Sequence, residues 1–141
     1  MQANQPPGNT VVKLTVVVHS APYSSQAAYS AYRFTASALE AGHQVHRVFF
    51  YYDGVHASNA LSTPPQDEFD LVKAWQALIE QHELDAISCV SSALKRGILD
   101  AREAHRYEKQ AANLAEGFVL SGLGQLVDAS LSSDRVVSFG A

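Results

Sequence analysis

Short apolar runs alternate along the chain with longer stretches in which apolar residues recur every three or four positions. The run "VVKLTVVVH", from Val11 to His19, is rich in β-branched residues, which is typical of a strand buried on both faces. The same pattern predicts four further strands, at "QVHRVFFYYDG", "DAISCV", "FVLSG" and "RVVSFG". Strands that alternate with helices in this way predict a parallel sheet covered on both faces.

The stretches between the strands predict the covering helices. The first predicted helix stops before Gly42, which stands where a C-cap belongs, and its apolar positions are Ala28, Tyr32, Thr35, Ala36 and Leu39. The second predicted helix is the whole stretch "QDEFDLVKAWQALIEQHEL", with acidic residues at its start, where the helix dipole favours them. Its approximate buried stripe consists of Phe69, Val72, Trp75, Ala77 and Ile79.

The second half of the chain predicts shorter helices. A helical turn begins at Ser91 or Ser92 and stops at Gly97, a polar helix follows from Asp100, and "LGQLVDASLSSD" forms the last helix. No internal repeat is visible in the sequence. We therefore expect residues 11–141 to form a single three-layer α/β domain, and we interpret the polar residues 1–10 as a flexible extension.

Composition narrows the classes of function. Ten Lys and Arg residues against fourteen Asp and Glu give the 141-residue chain a formal charge of −4, without a basic run, which disfavours direct binding to nucleic acid. No apolar run approaches the roughly 20 residues that cross a bilayer, and the N-terminus does not resemble a secretory signal. These features favour a cytoplasmic protein in a reducing compartment.

Cys89 is the only cysteine, in the stretch "AISCVSSALKRGI", so an internal disulfide is excluded. It stands at the end of the third predicted strand and just before a possible helix start, where ligands and reactive groups gather in parallel sheets. Helix N–H groups, the hydroxyls of Ser91 and Ser92, and the charges of Lys95 and Arg96 would all stabilise a thiolate. Residue type and position alone still favour a buried structural thiol, because free cysteine is among the most buried residues.

Other candidate sites give weaker signals. The six histidines have no metal-ligand spacing, including the pair His43 and His46, so no metal is expected. Two loops, Ser20 to Ser25 and Gly122 to Gly124, stand after predicted strands, where a small molecule with a phosphate could bind. Neither carries the full glycine pattern, and for Gly122 and Gly124 we favour a role in a tight turn and in close helix packing.

Several long pieces of the sequence together resemble one known family. In order, they are "APYSSQAAYSAYRFTASALEAGH", "RVFFYYDGV", "PPQDEFD", "ISCVSSALKRGI", "SGLGQLVDA" and "DRVVSFG", and they extend from about Lys13 to Gly140. The chain resembles the DsrE/TusD family of sulfur-relay proteins, and within it the TusD-type subunits. The N-terminal extension has no counterpart in this resemblance.

The resemblance implies a flavodoxin-like (DsrE-like) fold without a flavin or other cofactor, and a sulfurtransferase whose single cysteine, here Cys89, carries a persulfide. It reverses the preference for a structural thiol. It also implies a heterohexamer, a dimer of heterotrimers with TusB-like and TusC-like subunits. The implied sulfur donor is TusA-like and the implied acceptor TusE-like, in the relay to 2-thiouridine of the tRNA wobble position. DsrE-type sulfur oxidation and a small-molecule binding module of flavodoxin-like shape are the alternatives.

Overall fold

Five strands form one parallel sheet in the order β4-β3-β2-β1-β5. The computed structural model describes residues 10–140, so nearly all of the predicted N-terminal extension lies outside the described residues. The strands are β1 (Lys13–Val18), β2 (Gln44–Phe50), β3 (Ala86–Cys89), β4 (Phe118–Ser121) and β5 (Arg135–Phe139). Each predicted strand is therefore present at its expected place, although β2 ends four residues early.

Helices lie on both faces of the sheet, which confirms the predicted three-layer α/β architecture. The helices are α1 (Gln26–Glu40), α2 (Leu71–His82), α3 (Val90–Lys95), α4 (Ala101–Arg106) and α5 (Gly124–Ser132). Strands β1 to β4 follow one another in a single direction across the sheet, and the chain then returns past all of them to form β5. Right-handed crossovers consequently place α5 on the face opposite to α1 and α2.

The main core lies between the sheet and helices α1 and α2. Trp75 on α2 is fully buried there, with its ring edge-on to Phe50 at 5.2 Å and to Tyr32 at 5.4 Å between centroids. Edge-to-face aromatic packing and large buried area make this cluster a major source of stability.

Helix α5 packs on the other face, and Arg47 anchors it. The guanidinium of Arg47 donates to the Gln125 carbonyl at 2.8 Å and to the Asp85 carboxylate at 2.7 Å, while its side chain is 11% exposed. Thr15 in β1 adds a hydrogen bond of 3.5 Å to the Ala129 carbonyl. These contacts fix the position of α5 over β1, β2 and β3.

The predicted start of α2 was wrong. The helix begins at Leu71, after Asp70, whose carboxylate accepts a hydrogen bond of 3.1 Å from the N–H of Lys73 as an N-cap. The acidic residues before Asp70 therefore precede the helix rather than form its first turn. Two residues of the predicted stripe, Phe69 and Ala77, are exposed, and their places in the core are taken by Leu71 and Leu78.

The predicted strand end at Gly54 was also wrong. The chain leaves β2 after Phe50, Tyr52 takes a left-handed conformation (φ 50°), and a 3-10 segment runs from Tyr52 to Ser58. Gly54 permits this path because a Cβ at that position would collide with the carbonyl of Val18. The departure from strand geometry places Tyr51 and Tyr52 beside the carboxyl end of the sheet.

Candidate functional site

Cys89 is the last residue of β3 and directly precedes α3, as the sequence predicted. Its side chain lies on the side of the sheet that α5 covers. There it forms a small cluster with Phe49 and Ile87, against which Tyr51 and Leu126 pack. The residue is only 1% exposed. However, Ser91, two residues further along, is exposed, so the sulfur is close to the molecular surface.

Hydrogen bonds determine the acidity of this thiol. Burial raises the pKa of Cys89, but hydrogen bonds from the side chains and backbone N–H groups of Ser91 and Ser92 outweigh it, so the pKa lies below its usual value. The Ser91 hydroxyl lies 3.5 Å from the sulfur. Lys95 and Arg96, which the sequence suggested as sources of positive potential, are not among the causes of this shift. Hydrogen bonds from Ser91 and Ser92 therefore favour the thiolate form of Cys89.

Ser92 connects the cysteine to the 3-10 segment. Its hydroxyl oxygen accepts a hydrogen bond of 3.1 Å from the backbone N–H of Tyr52, which leaves the hydroxyl proton free to point towards Cys89. Arg96 supports the same junction, because it donates to the Ser92 carbonyl at 3.1 Å and to the Asp53 carboxylate at 2.8 Å. The hydrogen bond with Arg96 in turn lowers the pKa of Asp53. Arg96 thus holds Ser92 and Asp53 in position and is not a cause of the lowered pKa of Cys89.

Aromatic side chains surround the approach to Cys89. The rings of Tyr51 and Tyr52 stack with centroids 3.9 Å apart, and the His19 ring lies 6.0 Å from each. A hydrogen bond with the Tyr52 side chain, together with burial, raises the pKa of the Tyr51 phenol, so it stays protonated at neutral pH. Sequence analysis had assigned Tyr51 and Tyr52 to a strand and missed their position here. The positive φ of Tyr52 creates it, and no sequence pattern indicates that conformation at a tyrosine.

Leu126 completes the cover over the sulfur from the opposite side. It belongs to the first turns of α5 and packs on the cluster of Phe49, Ile87 and Cys89. Gly122 stands in the loop before α5 and Gly124 is the first residue of the helix, and a Cβ at either glycine would meet no atom within 4 Å. The expected role of these glycines in close helix packing is therefore wrong, because both face open space.

The other candidate residues lie away from Cys89 or have structural roles. His43 accepts a hydrogen bond of 3.1 Å from the N–H of Val12 and so joins the starts of two neighbouring strands. Ser24 and Ser25 line a pocket of about 480 Å³ with Tyr23, Tyr29, Glu68 and Phe69, and no residue of the Gly122 to Gly124 loop reaches it. Within residues 10–140, no three or more His, Cys, Asp or Glu side chains are grouped so as to hold a metal ion.

None of the described helices is long and apolar enough to cross a bilayer.

Several exposed apolar side chains lie on the side of the sheet that α5 covers. Leu123, Val127 and Leu131 form a stripe along α5, and Val119 and Val136 lie on the strands at the two sheet edges. We refer to these five residues as the α5 face.

Comparison with known proteins identifies the family. The profile of the DsrE/DsrF-like family matches residues 12–139. The DsrE protein of Allochromatium vinosum, provisionally named a sulfurtransferase, is 50% identical over 92% of this chain and 99% of its own length. The sulfurtransferase TusD homologues of Vibrio parahaemolyticus and Pseudomonas aeruginosa are 50% and 48% identical, over 89% and 92% of this chain and 95% and 98% of theirs.

A solved structure supports the fold. The crystal structure of the ychN protein from E. coli superposes with a TM-score of 0.74 over 92% of this chain and 100% of that one, at 20% sequence identity. The sequence relatives confirm the predicted sulfurtransferase family, and the structural neighbour confirms the architecture. The chain belongs to the DsrE/DsrF-like family.

Proposed function

We propose that Cys89 accepts a sulfur atom from a donor protein as a persulfide and passes it to an acceptor protein. The observation that carries this proposal is the hydrogen bonding of the Cys89 sulfur by Ser91 and Ser92, which lowers the pKa of the thiol. A thiolate is the nucleophile in every exchange at sulfur.

The transfer consists of two displacements at sulfur. The Cys89 thiolate attacks the terminal sulfur of the donor persulfide, so that a new S–S bond forms, the donor S–S bond breaks, and the donor leaves as a thiolate. The proton of the donor's terminal S–H stays on the transferred sulfur, which gives Cys89–S–SH. An acceptor thiolate then attacks the same terminal sulfur and restores the Cys89 thiolate. No net oxidation occurs, and neither step requires a metal or an organic cofactor.

The burial of Cys89 adds a requirement to this scheme. A side chain that is 1% exposed cannot meet another protein's persulfide without movement of its cover. Tyr51 and Leu126 form that cover, and each is only partly buried. We propose that one or both side chains move aside when a partner docks, which keeps the reactive sulfur away from other thiols between transfers.

The α5 face supports assembly with other subunits. Apolar residues on one side of a domain mark protein interfaces, and Leu131 is 82% exposed. We propose that TusB-like and TusC-like subunits cover this face in a heterohexamer built as a dimer of heterotrimers. A TusA-like protein would then be the donor and a TusE-like protein the acceptor.

For the pathway, we propose the relay to 2-thiouridine at the tRNA wobble position, in the cytoplasm, with no direct contact between this chain and RNA. The alternative is the sulfur-oxidation role suggested by the DsrE name of the A. vinosum relative. Both roles use the same cysteine chemistry and differ in the final acceptor. Deletion of the gene should remove tRNA 2-thiouridine and leave growth on reduced sulfur compounds unchanged; the reverse result would select the alternative.

Intact-protein mass spectrometry tests the sulfur transfer directly. After incubation with a persulfidated TusA-like donor, the wild-type protein should gain one sulfur atom, which reductant removes and which maps to Cys89. The Cys89→Ser variant should show no gain. A folded Cys89→Ser protein that still relays sulfur would refute the proposal, as would a wild type that stays unmodified with its partner subunits present.

A second candidate function arises from the pocket beside the first turn of α1. Its volume of about 480 Å³ and its serine and aromatic lining would accommodate a small molecule. A yellow purified protein, or thermal stabilisation by flavin mononucleotide, would support this binding role. A colourless protein without a thermal shift would leave the sulfur relay as the only proposed function.

A further inference from the structure

A groove of about 580 Å³ lies beside the C-terminal end of α3. Its lining combines apolar and basic side chains: Leu94, Lys95, Gly97, Leu99, Tyr107 and Lys109. Tyr107 is 50% exposed, which leaves its ring available for contact. The groove is separate from the cover of Cys89 and from the α5 face.

The charge around this groove is opposite to that of the remaining chain. Residues 95 to 109 contain five of the ten Lys and Arg residues and three of the fourteen Asp and Glu residues, a formal charge of +2. The remainder has five basic and eleven acidic residues, hence −6. An acidic molecule is therefore attracted more strongly to this segment than to the remaining chain, and the segment stays net positive after Arg96 is paired with Asp53.

The two lysines of the groove lack acidic partners. Among residues 10–140, no carboxylate oxygen lies within 4.0 Å of the ammonium of Lys95 or Lys109. Arg96 and Arg106 differ, because Arg96 pairs with Asp53 at 2.8 Å and Arg106 approaches Glu103 at 3.8 Å. Lys95 and Lys109 are thus the charges that remain available to a ligand.

Helix α3 connects the groove to the reactive sulfur. Cys89 precedes its first residue, Val90, and Lys95 is its last. Six residues at 1.5 Å per residue correspond to about 9 Å. A protein segment in the groove would therefore lie about one length of α3 from the backbone of Cys89.

We propose that this groove docks an acidic segment, interrupted by apolar side chains, of the protein that donates sulfur to Cys89. The inference rests on the proposed function, because it assigns the position of a relay partner. Asp100, Glu103 and Glu108 lie among the basic residues and would repel a continuous phosphate backbone. Separate carboxylates spaced by apolar side chains fit the mixed lining, which favours a protein segment over RNA.

A binding assay without sulfur chemistry tests the groove by itself. The probe is a fluorescein-labelled peptide of twelve residues, in which aspartate and glutamate alternate with leucine and phenylalanine, measured by fluorescence anisotropy against the Cys89→Ser protein. Lys109→Glu should weaken binding about fivefold. Lys73→Glu on α2 changes the net charge equally outside the groove and should have little effect. Salt should weaken the wild-type binding.

Three results would overturn the inference: no binding of the peptide, equal weakening by both charge reversals, or Lys109-dependent binding of a twelve-nucleotide single-stranded RNA in place of the peptide. A separate measurement compares sulfur loading of Cys89 by a persulfidated donor protein and by cysteine persulfide. Lys109→Glu should slow only the protein donor. If the wild type accepts sulfur from neither, the proposed function fails; if Lys109→Glu changes neither rate, only the docking groove fails.

Discussion

The reactivity of Cys89 depends on the two serines that follow it. Ser91 is exposed and places its hydroxyl 3.5 Å from the sulfur, whereas Ser92 is buried and also binds the Tyr52 N–H. Because these donors hold the pKa of the thiol down, the thiolate forms at lower pH than in an ordinary cysteine. The wild-type rate of thiol modification should therefore rise at lower pH than that of a free thiol.

The variant Ser91→Ala should shift this profile. Loss of a donor to the thiolate raises the pKa of Cys89, so the rate at neutral pH should fall several-fold and recover at high pH. Stopped-flow labelling with a thiol reagent across a pH series measures both changes. Ser130→Ala, which removes another surface hydroxyl, is the matched control. Superimposable profiles for Ser91→Ala and wild type would contradict the assignment.

At this scale, the sequence alone predicted the position of Cys89 and the hydroxyls beside it, since neighbours along the chain are visible in a linear pattern. It could not predict Tyr51 or Leu126, which reach the sulfur from β2 and α5 through the sheet topology. Nor could it show that Arg96 turns away to Asp53. The family role of Cys89 came from the resemblance and not from its neighbours, and it stays a prediction.

At the scale of elements, the first turns of α5 act as a cover over the sulfur. Leu126→Ala shortens the side chain that packs on the cluster of Phe49, Ile87 and Cys89. We expect Cys89 to be labelled several-fold faster, with a loss of about 1–2 kcal/mol in the free energy of unfolding. Val127→Ala on the same helix is the control, because Val127 is 59% exposed and does not join that cluster. An unchanged labelling rate in Leu126→Ala would exclude α5 from the cover.

The 3-10 segment depends on a single glycine. In Gly54→Ala the new methyl group would collide with the Val18 carbonyl, so the segment and the adjacent tyrosines must shift. We expect a loss of about 3 kcal/mol in the free energy of unfolding, measured by urea titration. Gly124→Ala should be nearly neutral, because its methyl group would enter open space. Comparable stabilities of the two variants would show that the chain can avoid the collision.

The sequence pattern predicted the existence of α2 and β2 but not the start of α2 or the end of β2. The predicted start of α2 at Gln66 relied on acidic residues near a helix N-terminus, but only Asp70 caps the helix. Tyr51 and Tyr52 continue past Phe50 with a residue type that strands favour, whereas the close approach of Gly54 to β1 ends the strand. A local side-chain cap sets the start of α2 and a contact with a distant strand sets the end of β2, and hydrophobic periodicity contains neither.

At the scale of the whole molecule, the α5 face should determine assembly. We expect Leu131→Asp to abolish co-purification with the TusB-like and TusC-like subunits, because a carboxylate there would have to be desolvated in the interface. Its stability should be unchanged, since the side chain is 82% exposed. Leu61→Asp, at a loop position that is 72% exposed, is the control. Retention of the complex by Leu131→Asp, seen by size-exclusion chromatography with light scattering, would place the interface elsewhere.

The alternation of strands and helices was sufficient to predict the three-layer fold, because only a parallel sheet accommodates it. The order of the strands was not predicted. It follows from the return of the chain after β4, which also puts α5 alone on its face and leaves apolar residues exposed there.

The position of β5 has a consequence for biosynthesis. Leu14 pairs with Arg135, so β1 gains its second neighbour only after β5, far along the chain, has been made. Strands β1 to β4 can pair in the order of their synthesis, but the hydrogen-bonding edge of β1 stays open throughout translation. Closure of the sheet therefore requires β5, and a nascent chain stalled before β5 presents an unpaired edge of β1 to chaperones and to other nascent chains.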